Sequence, residues 1–234
     1  MNVIDFARVA DRLSDSHKAI RQLIHDTSAL HSAHTDLKVA HDLAARFIEF
    51  DQIESLPRAV VEDCSLALLC SAIIFYARAT KSHSNHRKTF DIRSQMDDME
   101  KDRHDLIVRL RDDAIAHYGP GELGSTTVRK DWLLFCPEHL KPLSVSKNIV
   151  GSQSLAHLVR QQSQRALILM QRLYERKQSQ LFDQINELAE DETFLAAWNA
   201  SEMSLAEAVG EEMASQIESG PFVGTARLHE GSSR

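Results

Sequence analysis

An all-α helical bundle is the fold this sequence predicts, and three observations predict it. Apolar residues recur at helical spacing along almost the whole chain. Gly and Pro are scarce, 8 and 5 among 234 residues, so few positions interrupt a helix. Hydrophobic residues at 43% beside charged residues at 26% are the balance of a helix-rich globular protein with ample material for a core.

Taken in order, Val3, Phe6, Ala10 and Leu13 form one stripe that Ile20 and Ile24 continue, which predicts a helix or helix pair over about 2–30. Leu37, Ala40, Leu43, Ala44, Phe47 and Ile48 predict a second helix over about 35–54. In "SLPRAVVEDCSLALLCSAIIFYARATKS", Ser55 suits an N-cap and Pro57 the first turn. Its centre is apolar nearly all round, which predicts the buried helix at the middle of the bundle. "HSNHRKTFDIR" reads as a loop. Met96, Met99, Leu106, Leu110 and Ala114 then mark a helix over about 94–118, stopped by "GPGELGS". Residues 126–150 read either as two short strands, a small β-hairpin, or as an extended excursion. A long helix is predicted over about 152–189 and a short acidic one over about 202–218. The expected organisation is a bundle over 1–190, an acidic helical segment over 191–219 and a disordered tail over 220–234.

The net charge of −7 disfavours a nucleic-acid binder only until its distribution is seen. From Gln178 to Ala226 there are ten Asp and Glu and no Lys or Arg, whereas residues 1–177 carry 25 basic and 23 acidic residues. The acidic end sets the overall balance, so charge leaves an RNA-binding body open. One arrangement this asymmetry suggests is an acidic segment folded over a basic groove, competing with RNA.

No apolar run reaches the roughly 18 residues of a membrane span, and "MNVIDFARVADRL" lacks the apolar stretch of a signal peptide. The three cysteines have no metal-ligand spacing, and Cys64 and Cys70 fall in one apolar helical run where small hydrophobes pack. A cytoplasmic protein with reduced thiols, no membrane contact and no cofactor is the expectation. His31 and His34, and His83 and His86, are the nearest histidine pairs. Neither has a carboxylate or cysteine pair at ligand spacing, so no metal site is expected. No Gly-rich phosphate loop is present either.

The chemistry concentrates in "LRDDAIAHYGPGE". Arg111 and His117 lie six residues apart, about 9 Å along a helix axis and about 120° around it, so they can line one groove. A histidine in the last turn feels the negative end of the helix dipole, which favours its protonated form. Asp112 can orient the guanidinium or a partner across a dimer interface, and Asp113 lies one turn before His117. An Arg and a His without a nucleophile of their own suit RNA, which brings its 2′-OH. The histidine moves the proton and the arginine holds the charge that builds on the phosphoryl group, with no metal required.

"RDDAIAH" resembles the R-x(4–6)-H motif of the HEPN superfamily, and the preceding "AIIFYARATKS" is similar to a Tyr-Ala-Arg helix of several HEPN-like groups. The resemblance implies a HEPN-like bundle core over about 56–189 that dimerises with two motifs facing each other. It also implies metal-independent endoribonuclease activity in a defence, toxin–antitoxin or RNA-processing role. Arg111 and His117 would be the catalytic pair and Asp112 the supporting polar residue, where the family more often has Asn. Some members keep the helices without the catalysis, so the alternative is a non-catalytic dimerisation or interaction module, with or without a further protein partner.

Arg78, Lys81, Arg87 and Lys88, in a stretch free of acid before Asp91, are candidate RNA-phosphate contacts. Arg160, Arg165, Arg172, Arg176 and Lys177 form a second basic run, of the kind usually only solvated. Trp132 and Phe135 suit base stacking or an apolar patch.

Overall fold

The computed structural model describes residues 1–53, 55–81, 90–112, 122–123, 126–127, 129–136, 141–148 and 153–219. It bears out the all-α bundle, and helices carry both of its cores. The chain divides into two compact units, Met1–Thr27 with Lys177–Arg234, and Ser28–Arg176, so the boundary expected at residue 190 does not coincide with this division.

In the first unit β1 (Asn2–Ile4) pairs antiparallel with β6 (Glu202–Ser204), Val3 opposite Met203. Asp5 caps α1 (Phe6–Arg12), its Oδ1 accepting from the Ala7 and Arg8 amides at 2.9 and 3.3 Å. The helix expected from residue 2 thus starts later, because Val3 is used in the strand. Val9, Ala10 and Leu13 pack with Ile20 and Ile24 of α2 (Lys18–Phe50), Leu181 of α5 (Gln153–Glu187), and Phe194 and Ala197 of α6 (Glu192–Asn199). The single helix expected over about 202–218 is instead β6 followed by α7 (Leu205–Val209) and α8 (Glu211–Ser219), with Gly210 between the two helices. Gly210 has φ +84°, a conformation that favours glycine and breaks the helix. Within their unit three carboxylates of these elements meet groups at the N-terminal end. Glu202 accepts from Asn2 at 2.8 Å, Glu207 meets Arg8 at 3.6 Å and Glu218 meets the N-terminal ammonium at 2.7 Å.

Asp191 ties the start of α6 to the start of α2. Its carboxylate accepts from the Thr193 hydroxyl at 2.6 Å and the Phe194 amide at 2.9 Å, and lies 3.2 Å from Nε2 of buried His17. Chiefly the Thr193 bond, then the Phe194 amide and His17, hold it down to about 2. A depressed carboxylate contributes stability above its ordinary value of 3.8, and the contribution disappears as pH falls through about 2. Asp191→Ala should therefore lower the thermal midpoint at pH 7 by more than it does near pH 2. An equal loss at both pH values, by calorimetry, would contradict the assignment.

In the second unit α2 is continuous where a break was expected near residue 31. No Gly or Pro interrupts it, and the Thr35 hydroxyl donates to the His31 carbonyl at 3.0 Å. Leu30, Ala33, Leu37, Ala40, Ala44 and Phe47 alternate by three and four residues and form a seam that the alanines let neighbours approach closely. Facing it are Leu69, Ile73 and Tyr76 of α3 (Arg58–Thr80), Ile107 of α4 (Asp98–Arg109), and Val159, Ala166 and Met170 of α5. Of the two readings of 126–150, paired strands are observed. β4 (Arg129–Cys136) and β5 (Lys141–Asn148) run antiparallel, Arg129 opposite Asn148, while β2 (Glu122–Leu123) pairs with β3 (Thr126–Thr127).

Two expectations for α3 are corrected. Pro57, not Ser55, stands at the N-cap, with no side-chain cap bond. The helix is also not enclosed all round: Tyr76 and Ala72 are fully buried, but Val60 and Ile74 are 44% and 40% exposed and Cys64 is exposed. Cys70 is half-buried, which pushes its thiol pKa up. By length and composition α3 is apolar enough to cross a membrane, with a mean hydropathy of 1.8 over 18 residues. This corrects the expectation that no segment is long and apolar enough. A third of that window is buried in the protein.

Candidate functional site

The site grows from two helix ends. α4 begins at Asp97, whose carboxylate accepts from the Glu100 amide at 2.7 Å while Glu100 accepts from the Asp97 amide at 3.1 Å. This reciprocal cap sets the start four residues later than the apolar pattern suggested. At its far end the helix widens into a π turn over 110–112. Leu110 stays fully buried, so the turn anchors in the core while the next two side chains lie toward solvent. α3 ends beside it, where the Lys81 amide donates to the Ala77 carbonyl at 2.8 Å.

Arg111 donates through Nη1 to Asp112 Oδ1 at 2.7 Å, and Lys81 donates to the other Asp112 oxygen. Partial burial pushes the Asp112 pKa up, but the bonds from Lys81 and Arg111 outweigh it and hold the carboxyl below its ordinary range. Asp112 is thus an ionised bracket between two cations. The Arg111 side chain remains 41% exposed, with donors to offer beyond those Asp112 takes. Asp112 does orient the guanidinium, one of its two expected roles. His117 and Asp113 lie outside the described residues, as do Arg87, Lys88, His83 and His86.

Arg78 has a structural engagement besides any with RNA. Its Nε donates to Asp36 at 2.9 Å, a second nitrogen bonds the other oxygen, and its guanidinium lies 4.4 Å over the Phe75 ring. Asp36 is buried, so this fork ties α3 to α2. Along the second basic run, Arg165 pairs with Glu100 at 2.8 Å and Lys177 with Asp26 at 3.6 Å. His31 packs against the Tyr174 ring at 5.9 Å, and burial, then His31 and Lys38, lower the His34 pKa. Among the described residues no three His, Cys, Asp or Glu side chains gather as a metal site would require.

One group at this end of the unit escaped the sequence reading. His104 is 6% exposed, and its Nδ1 lies 2.8 Å from the hydroxyl of fully buried Tyr76. Burial lowers the imidazole pKa and raises that of the phenol. A cavity of about 610 Å³ opens beside it, lined by Lys81, Asp102, His104, Asp105, Val108 and Arg109. Its signal in the sequence was the place of His104 three and four residues before Ile107 and Val108, on the inward stripe of α4.

Fold and site together define an all-α protein with a bracketed, half-exposed arginine where two helices end. Comparison with known proteins finds no matching family model, no matching curated protein and no matching solved structure.

Proposed function

We propose that this chain is a HEPN-like, metal-independent endoribonuclease that works as a homodimer in the cytoplasm, in a defence, toxin–antitoxin or RNA-processing role. The observation that carries the reading is the Arg111 guanidinium, half-exposed and held in place by an Asp112 that Lys81 holds in turn. In the proposed reaction the ribose 2′-oxygen attacks the adjacent phosphorus and the bond to the 5′-oxygen breaks. The products are a 2′,3′-cyclic phosphate and a 5′-hydroxyl. His117 takes the 2′-OH proton or delivers one to the leaving oxygen, and Arg111 stabilises the charge on the phosphoryl oxygens. The test is cleavage of a mixed-sequence RNA in EDTA beside His117→Ala at matched folding. Loss of cyclic-phosphate products in the variant supports the reading; unchanged cleavage ends it.

A second reading, a non-catalytic dimerisation module, is favoured by the exposed apolar side of α3. Val60 and Ile74 are exposed there, and a groove of about 740 Å³ runs between Arg46, Glu49 and Phe50 of α2 and Cys64, Ala67 and Leu68 of α3. Both readings use a homodimer. Ile74→Glu should shift the protein from dimer to monomer in light scattering, because an apolar interface core rejects an unpaired charge. A dimer that persists undiminished would remove this face from the interface. Under the second reading, dimerisation is lost on that change while no preparation cleaves RNA.

A further inference from the structure

The cavity beside His104 is built from side chains of opposite character, and their arrangement narrows what fits it. Tyr76 is fully buried beside Gln162, and its hydroxyl lies 2.8 Å from Nδ1 of His104; we assign the phenol as donor and Nδ1 as acceptor in that bond. A neutral imidazole that accepts at Nδ1 carries its proton on Nε2. Nε2 has no hydrogen-bond partner among the described residues. Among the described residues, the fully enclosed side-chain atoms without a hydrogen bond belong to Thr27, Ser65, Ser163 and Arg165, the last of which meets Glu100 as an ion pair, and Nε2 of His104 is not one of them. It therefore reaches open space, and the open space His104 lines is this cavity. With that assignment, a side chain more than nine-tenths buried offers an N–H donor to a solvent-connected site.

Around that donor stand two cations, Lys81 and Arg109, and two carboxylates, Asp102 and Asp105. Asp105 is occupied by the fork of Arg93, at 2.9 and 2.7 Å. Asp102 is exposed and offers acceptor oxygens. A bare anion would meet the two cations and the imidazole N–H but would also face Asp102. A ligand that joins an anionic group to hydroxyl donors satisfies both halves. Lys81 also bonds Asp112, which places the cavity next to the Arg111 bracket. The volume, about 610 Å³, is within the usual range for a site that takes a ligand the size of a nucleotide.

We infer that this cavity is a ribonucleotide subsite, in which His104 Nε2–H, Lys81 and Arg109 bind the phosphate and Asp102 accepts from the ribose hydroxyls. This deepens the nuclease reading and rests on it for the role of the subsite, which is to seat an RNA nucleotide beside the one Arg111 acts on. Specificity for RNA over DNA would then come from Asp102, because only the ribonucleotide brings a 2′-OH.

The test uses the full-length protein and the four ribonucleoside 5′-monophosphates, each alone, since none can be cleaved by its own 2′-OH. The readouts are calorimetric affinity and the ring-nitrogen resonances of His104. At least one nucleotide should shift the His104 Nε2 signal on saturation. Arg109→Gln should weaken it about tenfold or more, and the 2′-deoxy analogue should bind several-fold less tightly than its ribose parent. Asp102→Ala, which removes the acceptor, should erase that ribose preference while leaving phosphate affinity in place. An unmoved His104 signal with all four, or an Arg109→Gln protein that binds as tightly, would overturn the inference. Inorganic phosphate binding as well as any nucleotide would overturn its ribose half. Nucleotide binding without RNA cleavage would sink the nuclease and keep the subsite; RNA cleavage without nucleotide binding would do the reverse.

Discussion

Arg111→Ala is expected to lower RNA cleavage in EDTA by about 100–1,000-fold, the effect of removing one donor that stabilises charge in a transition state, about 2.7–4 kcal/mol. The loss should appear in kcat more than in KM, because the guanidinium is asked to meet charge that exists only as the phosphorus becomes five-coordinate. Stability should change little. The Arg111 side chain is 41% exposed and its partner Asp112 keeps the bond from Lys81, so the fold loses only a solvated ion pair. Arg111→Lys should recover part of the rate, since a lysine keeps the charge but not the two-pronged donor geometry. Asp112→Asn should retain binding and slow the reaction, because the guanidinium loses the ionised oxygen that orients it. Full cleavage by Arg111→Ala would remove Arg111 from the reaction.

Tyr76→Ala is expected to cost about 3–5 kcal/mol of stability, the range for deleting a large core aromatic. Tyr76 is fully buried among Leu37, Leu69, Ile107 and Met170 in the core of the second unit. Its ring also meets His104 edge-on, with centroids 5.7 Å apart. Tyr76→Phe separates the two contributions. It keeps the ring, removes the hydroxyl and leaves Nδ1 of His104 without its donor, which should cost about 1–3 kcal/mol. Urea titrations of the three proteins measure both steps. The Phe variant should also release the His104 tautomer, visible as a change in its ring-nitrogen shifts. A Phe variant as stable as the parent, with His104 unchanged, would show that the hydroxyl does not hold the imidazole.

The helical class was legible because it is written in short-range spacing. Leu37, Ala40, Ala44 and Phe47 were named from their periodicity, and they form the α2 seam. The long helix predicted over about 152–189 is α5, Gln153–Glu187. Boundaries were less legible, because capping competes with periodicity at helix ends. Asp97 and Glu100 start α4 late, Val3 is drawn into β1, and nothing in the composition of residues 31–35 shows that α2 runs through them. Arg111 and Asp112 were singled out from the motif, and both lie in the π turn that follows α4. His104 was not, since a histidine on an apolar stripe has no local mark that separates packing from a directed donor.

By itself the sequence determined the all-α class, the long helix α5 and the acidic charge of the C-terminal end. All of these depend on backbone sterics, side-chain period and charge within a few residues of one another. Only the tertiary structure decided which side of the almost uniformly apolar α3 is buried and which carries Val60 and Ile74 outward. It also decided that Glu202, Glu207 and Glu218 meet N-terminal residues, that Asp36 takes the Arg78 fork, and that Tyr76 orients a histidine 28 residues away. Such pairings depend on which helices pack together, and a buried donor finds its acceptor only once the core has closed around both.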